Sequence, residues 1–125
     1  MIEVYDYRFK KDKIDGYIDA KNYLNRKKKF KGKLDGKKYI DDRGNLLLIL
    51  KDDNIITWSE GEEQGYLKEG KIYSTDNKLI YTFSENKNEI YDKEGKIILK
   101  LDGNVENLND RDFFGITAHF LELFA

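Results

Sequence analysis

The sequence predicts a mainly β domain, a curled antiparallel meander or barrel-like sheet of about ten short strands with an apolar C-terminal helix packed in or on it. Three observations predict it. Aromatic residues make up 14% of the chain, chiefly Tyr and Phe, which with the many Ile residues favour half-buried pleated surfaces. Short apolar runs recur between Gly, Asp and Asn at hairpin spacing. The last fifteen residues then change to a denser apolar pattern of helical length.

The length of 125 residues suits one hydrophobic core, so residues 1–125 are read as a single β-rich domain. Charged residues reach 38%, yet the aromatic content is too high for a disordered polyelectrolyte. Cys is absent, which removes disulfides, thiolate nucleophiles and Cys-based zinc sites. The segment Met1-Ile2-Glu3-Val4-Tyr5-Asp6 lacks a basic region followed by an apolar run, and no stretch approaches the roughly 20 apolar residues that span a bilayer. A cytoplasmic protein is expected.

Strands are expected near Glu3–Phe9, Ile14–Ala20, Phe30–Leu34, Ile55–Ser59 and Gln64–Lys68. Between them, three segments share one hairpin pattern: Tyr39 to Leu47, Ile72 to Ile80 and Ile90 to Ile98. Asp41, Ser74 and Asp92 open each turn, where a short side chain can accept from the backbone ahead of it. Gly44, Asn77 and Gly95 sit where a left-handed residue closes a type I turn with a bulge. The copies are 33 and then 18 residues apart, which fits a recurring turn device and no solenoid period. The unbroken apolar run Leu46 to Leu50 is expected to be covered on both faces and to mark the centre of the core. Lys21–Lys29 is open between strand, loop and one helical turn.

A helix is expected over about Asp110 to Phe124. Asn109 and Asp112 have the spacing of a capping box, and Leu108 and Phe113 that of a hydrophobic staple. Asp112, Gly115, His119 and Glu122 fall on one narrow stripe, and apolar residues cover the rest of the circumference. Such a helix must embed in the β layer, pair with a second copy or dock on a partner, and a homodimer is expected if it is exposed.

The heptad Ile90-Tyr91-Asp92-Lys93-Glu94-Gly95-Lys96 followed by the Asp112–Phe124 helix resembles the tubby C-terminal-like fold and its LURP-one-related branch over roughly residues 71–125. The resemblance implies a terminal helix threaded through a β-barrel. No phosphoinositide-binding signature of that family matches this chain, so the resemblance speaks to architecture.

No catalytic set emerges. His119 is the only His, and Ser59, Ser74 and Ser84 sit in no nucleophile-elbow context; His119 is expected on the polar stripe near Glu122 or where the helix meets solvent. Paired acids could in principle run a glycosidase, but no pair stands out. Asp102-Gly103-Asn104-Val105-Glu106 lacks the sixth-position Gly and terminal Glu of an EF-hand loop, and no phosphate-binding Gly loop is present. No catalytic residue, metal or cofactor is therefore expected.

Two features could carry binding. Residues 21–38 hold nine Lys/Arg against one Asp, a local +8 in a chain of net charge -1. Within it, Lys27, Lys28, Lys29, Lys31 and Lys33 flank Phe30. They form either a patch for an anionic surface or a lysine-guarded hairpin edge that resists sheet pairing. The acidic remainder argues against nucleic acid. Trp58, followed by Glu60, Glu62 and Glu63, is either core or an exposed protein-binding hot spot. The expected function is a non-enzymatic module that covers a partner protein, such as a bacterial immunity protein or a phage-encoded inhibitor. The alternative is a tubby-like membrane-surface module that binds anionic lipid through Lys21–Lys38.

Overall fold

The computed structural model describes residues 1–9 and 13–125. Twelve strands close into one antiparallel barrel in which each strand pairs with its sequence neighbours and β1 pairs with β12. The first six are β1 (Ile2–Asp6), β2 (Ile14–Asp19), β3 (Asn22–Asn25), β4 (Phe30–Asp35), β5 (Lys38–Asp41) and β6 (Leu46–Lys51). The second six are β7 (Asn54–Thr57), β8 (Glu63–Lys68), β9 (Lys71–Ser74), β10 (Leu79–Phe83), β11 (Glu89–Tyr91) and β12 (Ile97–Asp102). Among the described residues one helix, α1 (Asp110–Phe120), follows.

The two barrel ends use different turns. At one end β2–β3, β4–β5, β6–β7 and β8–β9 join through two-residue turns, with Asp52 and Asp53 (φ 49° and 67°) and Glu69 and Gly70 (φ 51° and 73°) both left-handed. At the other end the expected bulged turns are present: Asp41 Oδ1 accepts from the backbone N of Arg43 and Asn45, and Asp92 Oδ1 from Glu94 and Lys96. Gly44, Asn77 and Gly95 have φ of 83°, 65° and 81°. The device recurs at Asn25, whose Oδ1 accepts from Lys27 and Lys29 while Lys28 is left-handed. Lys21–Lys29 thus resolves into a tight turn, β3 and a bulged turn.

Register shifts fall in β1–β2, β3–β4, β5–β6, β7–β8, β9–β10 and β11–β12, which are the pairs joined at the bulged-turn end. Bulges increase local twist and coil a sheet, so one in every second pair bends the meander toward closure.

Eight strands already enclose as much space as side chains can fill, so a twelve-stranded barrel needs a filler. The helix is that filler. Phe113, Phe114, Gly115, Ile116, Thr117, Ala118 and Phe120 are all buried. They meet inward residues from around the wall: Phe113 stacks on Phe83 of β10 at 4.9 Å, and a Cβ on Gly115 would strike the Tyr23 hydroxyl and Leu34. The helix is therefore internal and is not itself a dimerisation element. Asn109 and Asp112 form the expected capping box, with reciprocal 3.0 Å bonds.

Three expectations change. The helix ends at Phe120, because Leu121, Glu122 and Phe124 leave helical geometry and Leu121 and Leu123 both donate to the Thr117 carbonyl. The stripe of Asp112, Gly115, His119 and Glu122 is not a solvent face, since Asp112 and Gly115 are buried against the wall. The run Leu46 to Leu50 is covered on one face only: Leu48 and Leu50 point into the barrel, whereas Leu47 is 43% exposed.

Candidate functional site

The uncovered outer side of β6 leads to the candidate site. Strand alternation sends Leu47 and Ile49 outward on β6, and Ile56 and Trp58 outward on and just beyond β7. The two strands set these side chains opposite each other. Ile49 is the register partner of Ile56, and the backbone N of Trp58 donates to the Leu47 carbonyl at 3.1 Å. Ile40 extends the apolar surface onto β5. Trp58 is 59% exposed, so its indole contributes little to the core and faces solvent beside three aliphatic residues.

Charge flanks this surface on both sides. Glu60, Glu62 and Glu63 follow Trp58 through the β7–β8 turn, all exposed, and Glu63 is the register partner of Ile56. The turn is closed by Gly61 N to Thr57 O at 2.8 Å and Thr57 N to Glu62 O at 3.1 Å, which fixes the backbone that carries the acidic residues just beyond Trp58. On the other side, Lys33 is the register partner of Ile40 and Lys38 that of Ile49. Just inside Leu47 lies a cavity of about 230 Å³ lined by Leu48, Thr57, Ala118, Leu123 and Phe124, and there the buried Thr57 Oγ1 has no hydrogen-bond partner among the described residues.

The basic stretch does not form one patch. Lys21 lies at the tight-turn end, where its Nζ bonds Asp112 Oδ1 at 2.6 Å. Lys27, Lys28 and Lys29 are exposed in the β3–β4 turn at the opposite end, with Lys28 Nζ 5.2 Å from the Tyr17 ring. Lys31 and Lys33 project from the outer face of β4, and Lys31 Nζ approaches Asp42 at 3.6 Å. Phe30 is 43% exposed beside them, and Phe9 is 78% exposed at the same barrel end.

Sequence reasoning missed two polar groupings at that end. Asp6 and Asp15 share a cleft of about 330 Å³ with Phe9, Lys13, Ile14 and Arg26. Burial and the Asp6 charge raise the pKa of the Asp15 carboxyl, but Asp6 is committed to Arg8, whose Nη2 is 2.7 Å away. The Asp6 carboxylate also accepts from the Arg8 backbone N and Nε, while Arg8 Nη2 reaches the Phe120 carbonyl at 3.4 Å. That group ties the helix end to the wall. His119 is the second grouping: its ring stacks on Tyr23 at 5.0 Å, and its Nδ1 lies 2.7 Å from the Tyr39 hydroxyl. Burial lowers its pKa to about 4, so the ring is neutral near pH 7 and one hydrogen is shared between its Nδ1 and the Tyr39 hydroxyl.

Among the described residues, no helix is long and apolar enough to cross a membrane. The chain matches no protein-family model, no curated protein and no solved structure.

Proposed function

We propose that the protein is a non-enzymatic binding module that covers another protein with the outer face of β5–β8, in the manner of an immunity protein or a phage-encoded inhibitor. One observation carries this reading: Trp58, Leu47, Ile49 and Ile56 form an apolar cluster on the outside of a barrel that has already closed around its own helix. Barrel stability gives no reason for a tryptophan there, whereas an aromatic anchor rimmed by charge is the usual make-up of a binding hot spot. A closed barrel also supplies a rigid surface with no free sheet edge, so binding orders little and loses little entropy.

The test is a substitution pair. Replacing Trp58 with Ala should weaken capture of the target by about 2 kcal/mol or more while leaving the far-ultraviolet circular dichroism of the barrel unchanged. Replacing outward Tyr5, on the opposite wall, should leave capture unchanged. Equal loss from both, or none from Trp58→Ala, removes the reading.

A second reading is favoured by the placement of Phe9 and Phe30 beside the Lys27–Lys29 turn at one barrel end, a combination suited to an anionic lipid surface. It predicts flotation with anionic vesicles that fades as salt rises and disappears when Lys27, Lys28 and Lys29 are replaced by Glu.

A further inference from the structure

The charge on the Trp58 face is ordered. Across the strands at one level, the register runs Lys38 on β5, Ile49 on β6, Ile56 on β7 and Glu63 on β8. A cation stands at one end of the row, an anion at the other, and two isoleucines lie between. One level toward the bulged-turn end, Leu47 and Trp58 stand side by side across the same pair of strands. A uniformly basic or uniformly acidic partner would be repelled by one half of this row. A surface with the same row reversed would be attracted by both halves.

A second copy of the chain is such a surface. We propose that in the free protein this face is covered by a second copy, related by a two-fold axis that runs parallel to β6 and β7 and lies over the line between them. The inference rests on the reading of this face as a protein-docking surface and names its resting occupant. The operator places Ile49 over Ile56 of the second copy, Leu47 over Trp58 and Lys38 over Glu63, and each contact occurs twice. A two-fold axis perpendicular to the strands would instead set Lys38 on Lys38 and Glu63 on Glu63. The order of charge along the row thus selects one symmetry. The protein target then competes with the second copy for the same apolar residues.

Sedimentation equilibrium of the full chain over a wide concentration range, at low and moderate salt, tests the proposal. Trp58 is the only tryptophan, so its emission reports burial of this face directly. The wild type should dimerise, with Trp58 emission shifting to shorter wavelength as dimer forms. Lys38→Glu and Glu63→Lys each turn two attractions into two repulsions and should each weaken association about ten-fold at low salt. The double variant should regain wild-type association. An equimolar mixture of the two single variants should also form dimers, of one chain of each kind, at wild-type strength. In such a dimer the introduced glutamate of one chain meets the introduced lysine of the other, and the second contact is the native pairing of Lys38 with Glu63. Lys38 and Glu63 are exposed, and circular dichroism confirms the fold of each variant.

A wild type that stays monomeric at every concentration overturns the proposal, as does a mixture that associates no better than its components. If the wild type is monomeric but target capture still depends on Trp58, the self-association fails and the docking reading stands. If the wild type dimerises with the expected charge rescue while no target capture depends on Trp58, the target reading fails and the dimer stands.

Discussion

His119 is the only histidine, and its surroundings decide what it can do. Its helical stripe suggests a solvent-facing ring, but the wall supplies partners that the helix sequence cannot announce: Tyr23 by stacking and Tyr39 by a 2.7 Å hydrogen bond. Burial is the main cause of the fall in its pKa from 6.5 to about 4, opposed by the Asp42 charge. The unfolded chain therefore binds a proton between pH 6.5 and 4 that the folded chain refuses. This contribution to stability is full above pH 6.5 and is lost as pH falls toward 4, by roughly 2–3 kcal/mol. Denaturant titrations across that range should show a steeper loss in the wild type than in His119→Gln. Gly115 is equally specific to its surroundings, since a methyl group there would collide with the Tyr23 hydroxyl and press on Leu34. Nothing in a helix pattern marks that glycine as the seat of a tyrosine from β3. Only the closed barrel brings the two together.

At the scale of the element, turns are legible where the chemistry is carried by Gly or Asn and illegible where other residues carry it. Gly44, Asn77 and Gly95 announce their left-handed positions, but Lys28 and Lys87 hold the same conformation at φ 61° and 62°. Such a backbone costs a lysine more than a glycine, so Lys28→Gly should raise stability by about 0.5–1 kcal/mol, read from the denaturant midpoint. The capping box is legible because its spacing is local, whereas the end of the helix is not, because Leu121, Leu123 and Phe124 remain apolar after the chain has left helical geometry. The β6 run misleads for a useful reason. Five apolar residues in a row imply cover on both faces, but among the described residues the outer face of β6 leaves Leu47 exposed. Removing residues 109–125 would empty the lumen of Phe113, Phe114, Ile116 and Phe120, so the truncated chain should lose its near-ultraviolet circular dichroism and aggregate. A truncated chain that stays folded would mean the barrel does not need its helix.

At the scale of the whole molecule, closure separates two jobs. The inner face of each strand meets the helix, and the outer wall is free to carry chemistry of its own. The fold class is legible because alternation and turn residues are local signals. The Trp58 face is legible only in part: Trp58, Glu60, Glu62 and Glu63 are close in sequence, but Ile40, Leu47 and Ile49 join them only through strand register. The basic run misleads in the opposite sense, since the meander divides neighbouring lysines between the two barrel ends. Ile49→Thr and Ile56→Thr together should change stability by less than about 1 kcal/mol while weakening association, because both side chains lie outside the core.

The most direct test places a photoreactive residue at position 58 and, as a control, at position 5 on β1, six strands away around the barrel. Irradiation in the cells that make the protein should give discrete adducts from position 58, of a second copy or of one target protein, and none from position 5. No adduct from position 58, or the same adducts from both positions, would contradict the assignment of this face to protein binding.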